Sequence, residues 1–284
     1  MKKLRSKIRR KPPLPEGSAS LEPMKIPVAL FLVFSFALRA EDPDIEVNPN
    51  RPTFANPALT TQAGVAELEW GLQRSAFRED GPSFGTPTLL KLGLSKDLEL
   101  RIASPGYLRL APAGEATVSG LGDLNLAVQW CYLHDGLFGM DQAIQVAHTF
   151  PTAPSAQGLG NGAPIDALTL LFSRDAGPYH VDVNLLESWI GQGADAGGGR
   201  VRQAAGTVSI TRNLSDVWSL TGELYAIQGT AVNERIVSNL WCVAYKVSKR
   251  LVLDGGIDVG LTQGAPRYTL FAGLTVGLGR FHKR

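Results

Sequence analysis

The chain has 284 residues, 28 Lys/Arg against 26 Asp/Glu, and two cysteines. That balance gives no basic excess for nucleic-acid binding, and the cysteine count excludes a disulfide-stapled scaffold. A 44% hydrophobic composition is that of a soluble protein, yet it does not exclude a membrane β-barrel, which hides its apolar half in alternation.

Residues 2–11 are strongly basic, and a Pro/Ser/Gly tract follows. The only sustained apolar run, Ile26 to Leu38, is too short to cross a bilayer as a helix but suits the core of an export signal. Lys25 precedes it, and Arg39-Ala40 before Glu41-Asp42 marks a cleavage point. Residues 1–40 are therefore read as an N-terminal extension and signal peptide, with Met24 as the true start. They hold nine of the basic and two of the acidic residues, so the remainder carries 19 against 24 and is net −5. The basic surplus belongs to the leader, and no nucleic-acid partner is expected.

Residues 41–63 are polar, proline-bearing and without periodicity, and are expected to form a periplasmic lead-in. From 64 to 284 the chain settles into alternating apolar and polar residues, the period of a strand with two different faces. Strands are predicted at 64–76, 84–95, 97–106, 118–134, 141–151, 165–174, 179–190, 201–213, 216–229, 236–248, 250–262 and 268–281. Ala66, Leu68, Trp70 and Leu72 share one face of the first, with Glu67 and Glu69 on the other. Leu124, Leu126, Val128 and Trp130 oppose Asp123, Asn125 and Gln129 in the fourth. Cys131 and Cys242 fall inside predicted strands that are not neighbours and are read as unpaired wall residues.

Short connectors such as Ser95-Lys96-Asp97 and Ser248-Lys249-Arg250 alternate with long Gly/Ala/Pro/Ser-rich ones at 152–164 and 191–200. Tight turns on one side and long loops on the other describe an all-β, up-and-down antiparallel barrel of about twelve strands. A soluble sandwich or lipocalin-like barrel shares the period of two. Strands of ten residues and more exceed those of soluble sheets and match a tilted membrane crossing. Aromatics cluster toward both strand ends, with Trp130, Tyr132, Tyr179, Trp218, Tyr245 and Phe281 on the short-turn side and Phe150, Trp189 and Tyr268 on the other. Two such girdles suit the lipid–water boundaries of a bacterial outer membrane.

Several stretches are characteristic in their order: Asn50-Arg51-Pro52-Thr53-Phe54, the Leu89 to Ile102 hairpin, Gly120-Leu121-Gly122-Asp123-Leu124, Phe150-Pro151-Thr152, Leu253-Asp254-Gly255-Gly256, Gly260-Leu261-Thr262 and Gly279-Arg280-Phe281. Over residues 48 to 281 the chain resembles the outer-membrane β-barrel family named as transporters of the phenol meta-cleavage degradation pathway. The resemblance implies a barrel that passes small, often hydrophobic molecules. It brings no binding residues with it. The tail His282-Lys283-Arg284 departs from barrels that end on the aromatic read by the assembly machinery.

By alternation, Glu67, Glu69, Lys91, Glu99, Arg101 and Asp123 face the lumen on strands one to four, and Asp254 and Asp258 on strand eleven join them when the barrel closes. These are the candidate selectivity residues. The plainer alternative is a salt-bridge network that fills a narrow lumen and braces the wall, and it is the preferred one for any single residue. Catalysis has no support. His134, His148, His180 and His282 lie in no recognisable nucleophile context, no G-x-S-x-G is present, and no metal spacing occurs. The Gly-rich run at 158–162 lacks the Lys-Ser/Thr of a phosphate loop and is read as a surface loop. The expectation is a passive outer-membrane channel for a small, hydrophobic or aromatic solute, with no cofactor. Its partners are membrane lipid, the barrel-assembly machinery and the solute. A non-conducting structural or adhesive barrel is the alternative.

Overall fold

The computed structural model describes residues 44–193, 198–229 and 235–282. The expected signal peptide at 1–40 lies outside the described residues, as do the last two residues of the tail.

Among the described residues, fifteen hydrogen-bonded segments form one antiparallel sheet, closed by pairing between the first and the last of its strands in the chain. Three strands are interrupted once each, so the wall has twelve. They are β1 (Val65–Ala76), β2 (Ser83–Gly85, then Thr88–Gly93), β3 (Leu98–Ser104, then Tyr107–Leu110), β4 (Val118–Leu121, then Leu124–Leu133) and β5 (Asp141–Phe150). The others are β6 (Ile165–Ala176), β7 (Tyr179–Gly191), β8 (Arg200–Asn213), β9 (Trp218–Gly229), β10 (Ile236–Ser248), β11 (Leu251–Gly260) and β12 (Tyr268–Arg280). Each pairs with its neighbours in chain order, and β12 returns to β1 from Val65↔Arg280 to Ala76↔Tyr268. The count of twelve agrees with the alternation.

The interruptions in β2, β3 and β4 lie side by side. Pro87 and Pro105 have no amide hydrogen to give the ladder. Across the breaks, Thr86 N–H donates to Tyr107 O and Gly122 N–H to Gly106 O. Gly106 has φ +68, and a Cβ there would overlap the Thr86 carbonyl, so only glycine fits. Beyond the break β3 resumes, which the sequence did not indicate. The connection between the strands predicted at 97–106 and 118–134 shrinks to 111–117.

The two faces of the wall are inverted relative to a soluble protein. Val146, Leu185, Ile210, Leu224 and Trp241 are each half exposed or more, while Glu67, Glu69, Lys91 and Glu99 are buried. An apolar belt outside and charges within is the arrangement for a wall surrounded by lipid. Trp218 and Tyr245 pack at 4.6 Å between centroids, and Trp130 meets Tyr132 at 6.0 Å, at the short-turn end. Cys131 and Cys242 are free and buried. Leu126, outward on β4, tests the belt. Leu126→Arg is expected to cost about 2–4 kcal/mol near the midplane, measured by urea unfolding from lipid vesicles.

Candidate functional site: the lumen

The lumen is not an open tube. Of the periplasmic lead-in expected at 41–63, residues 46–63 instead run inside the barrel and are bonded to its wall. The reason is an accounting one: the segment makes no sheet or helix of its own, Pro49, Pro52 and Pro57 interrupt it, and its buried amides still need acceptors. The inward side chains supply them.

The segment starts at the short-turn end, where Val47 N–H donates to Lys249 O at 2.9 Å. Asn48 N–H reaches the Glu67 carboxylate at 3.2 Å, and Asn50 and Arg51 N–H reach the two Glu69 oxygens at 2.8 and 3.0 Å. The Arg51 guanidinium lies over the cross-strand glycine pair Gly71↔Gly273 and meets Asp254 at 3.3 Å. A Cβ at either glycine would overlap the guanidinium. At the crest, Phe54 and Ala55 N–H donate to the Glu223 carboxylate at 2.8 and 2.6 Å. Asn56 and Asn184 exchange two bonds, at 2.6 and 2.9 Å. On the descent, Ala58 N–H donates to Ser173 Oγ, Gln129 Nε2 donates to Pro57 O and Ala58 O, and Thr61 N–H meets Glu99 at 2.6 Å. Ionised acceptors make these among the stronger hydrogen bonds available to a backbone.

Two cations neutralise the acceptors. Lys91, fully buried, lies 3.0 Å from Glu67 and 2.8 Å from Glu69, and donates to Asn48 O and Asn50 Oδ1. Arg101 binds Glu99, Gln129 and Asn56 at 3.0–3.2 Å. Of the eight residues singled out from sequence, Glu67, Glu69, Lys91, Glu99, Arg101 and Asp254 thus converge on one segment. Asp123 is apart. It accepts from Ala153 and Asn161 N–H at 2.9 and 2.8 Å and so draws in the long loop after β5. Asp258 accepts from Tyr225 Oη at 2.7 Å. Glu223, Asn184, Ser173 and Arg51 were not singled out. Glu223 carried the same signal as the others, a carboxylate in phase with Thr221 and Tyr225 on the lumen face of β9.

Between the segment and the wall strands β7–β10 lies a cavity of about 610 Å³, lined by Arg51, Thr53, His180, Asp182, Thr211 and Thr221 among others. His180 is clamped there between Asp175 at 2.6 Å and Asp182 at 3.0 Å. A second histidine, His134 in the turn after β4, bridges Asp97 at 2.8 Å and Asp141 at 3.0 Å. Its hydrogen bonds to Asp97 and Asp141 raise its pKa above the ordinary 6.5. The protonated bridge therefore stabilises the turn below pH 6.5, and that contribution is lost as pH rises through the elevated value. NMR titration of the ring should give a midpoint above 6.5 that falls back in Asp97→Asn.

No family model matches the chain, and no curated protein matches it. Among solved structures, the barrel is similar to an outer-membrane channel from Pseudomonas putida F1, at 14% identity over 82% of this chain and 100% of that one, with a TM-score of 0.56. The fold is that of outer-membrane barrels. It is also similar to the NanC porin, at 10% identity over 74% of this chain and 98% of that one, with a TM-score of 0.53. Both likenesses span nearly the full length of the solved barrels, so the closed wall is the shared part.

Proposed function

We propose that the protein is an outer-membrane channel for passive passage of a small solute, narrowed from within by its own residues 46–63. The observation that carries the proposal is the closed wall of twelve strands around a segment held by side-chain bonds, with a cavity remaining beside it. The barrels it is similar to are a channel and a porin. Selectivity would fall to the polar groups that line this cavity, among them Arg51, His180 and Asp182, while Glu69, Asp254 and Glu223 hold the segment that bounds it.

A hydrophobic or aromatic solute fits the crest of the segment. There Phe54 stacks on Tyr225 with centroids 4.9 Å apart and planes within 17°, and still keeps 37% of its surface exposed. An apolar face set among polar walls favours a flat apolar solute over a hydrated ion. The resemblance to the phenol meta-cleavage transporters points the same way, and membership of that family is part of this proposal. No chemical step and no cofactor is assigned. The filled lumen equally favours a second reading, a barrel that conducts nothing and serves as a structural or adhesive element.

Planar-bilayer recording together with liposome uptake of a small aromatic alcohol separates the two. Small conductance steps with uptake support the channel; a silent barrel without uptake supports the structural reading.

A further inference from the structure

On the outward face near the long-loop end, two pairs of arginines have opposite surroundings. Arg200 meets Asp166 at 2.7 Å and Arg202 meets Glu187 at 2.6 Å, so the wall neutralises both. Arg74 on β1 and Arg109 on β3 are exposed and make no hydrogen bond or ion pair among the described residues. Glu79, Asp80 and Glu115, in the loops above them, form no ion pair with either.

The register joins these two. Arg74 pairs with Phe84, and Phe84 pairs with Arg109, placing the three in one row across β1, β2 and β3 on the same face. Their phase is outward, since Ser75 beside Arg74 points inward to bond Thr269 at 2.7 Å. Two strand spacings separate the arginine backbones by about 10 Å, within the combined reach of two guanidinium arms. Leu72, Tyr107, Leu121 and Leu270 are exposed just below and around the row. Arg74 lies eight residues along β1 from Ala66, which at the usual tilt is roughly 20 Å higher. The row therefore marks the upper border of the apolar belt, where lipid headgroups begin.

Two cations at that border with no ion pair among the described residues are free to take an anion from outside the protein. A guanidinium pair is matched to phosphate oxygens, which it binds in forked geometry, and headgroup recognition by basic clusters follows the same electrostatics. We propose that Arg74 and Arg109 clamp a phosphate of a phosphorylated glycolipid of the outer leaflet, with Phe84 beneath the sugar and an acyl chain lying along Tyr107 and Leu121. The inference rests on the outer-membrane reading above. A glycolipid fits better than a glycerophospholipid because the row presents an aromatic face between the cations, suited to a sugar ring.

The test is native mass spectrometry of the full chain refolded in detergent, titrated with bisphosphorylated lipid A, its dephosphorylated form and phosphatidylglycerol. The wild type should retain bisphosphorylated lipid A, and the R74Q/R109Q double variant should bind it at least roughly tenfold more weakly. R200Q/R202Q, with the same loss of charge, should bind it as the wild type does. Equal binding by R74Q/R109Q, or equal binding of the dephosphorylated lipid, overturns the clamp, and equal affinity for phosphatidylglycerol overturns the choice of glycolipid. Insertion into vesicles is scored alongside by heat-modifiable gel mobility. A wild type that inserts but retains no lipid A defeats the clamp alone, whereas one that stays in the supernatant defeats the outer-membrane reading with it.

Discussion

Replacing Lys91 by Met is expected to destabilise the barrel by about 3–5 kcal/mol, because a buried charge loses its partner. The ammonium lies between Glu67 and Glu69 with none of the three side chains more than 1% exposed. Removing it leaves two carboxylates facing each other away from water, and it also frees Asn48 O and Asn50 Oδ1. The first half of the internal segment should loosen as the wall weakens. Urea unfolding in vesicles measures the loss. A companion K91M/E67Q variant should recover more than half of it, since one carboxylate can then be held by the amides of Asn50 and Arg51. If K91M alone unfolds at the wild-type midpoint, the Lys91 cluster does not brace the wall.

Deleting residues 46–60 is expected to raise single-channel conductance several-fold and to make the pore prefer cations. The wall closes through β1 and β12 without any contribution from that segment, so the barrel should still fold. Without it, Glu67, Glu69, Glu99, Glu223 and Asp254 face the lumen against Lys91 and Arg101, because Arg51 leaves with the deletion. A ring of surplus carboxylates concentrates cations. Should the deletion fail to fold, E223Q/N184A loosens the crest and leaves the chain intact; intermittent openings should then appear. Unchanged conductance in both variants would mean that the segment does not limit flow.

The wall could be read from sequence because lipid on one side and lumen on the other impose a period of two on each strand. That pressure put Leu126 outward and Glu99 inward without any knowledge of their neighbours. Short turns such as Ser95-Lys96-Asp97 marked the strand ends independently. The contents of the lumen were not legible in the same way. Residues 46–63 show no periodicity because they obey none: many of their bonds to the wall run from backbone amides, which leave no mark on residue choice, and the side chains that do reach the wall, such as Arg51 and Phe54, follow no repeat. The acceptor for Ala55 is 168 residues away at Glu223, and no local pattern links the two. The inward carboxylates were recognisable as a group, but the same alternation fits groups that line a pore and groups that grip a segment. Only the path of Asn48 to Thr61 separates those cases. The second part of β3 was not legible for a related reason: Pro105-Gly106 has the composition of a loop, and the ladder beyond it pairs with β2 and β4, which break beside it.

The most direct test of the occupied lumen is cysteine cross-linking at its crest. The Asn56 backbone and the Asn184 side chain exchange bonds of 2.6 and 2.9 Å, while the Asn56 side chain turns toward Arg101. Cysteines at these two positions, in a C131S/C242S background, should therefore be joined by a short bismaleimide in the membrane-inserted protein. A cross-link that forms in the folded barrel and leaves its conductance unchanged is the predicted result. A folded barrel whose two cysteines react only separately would contradict it.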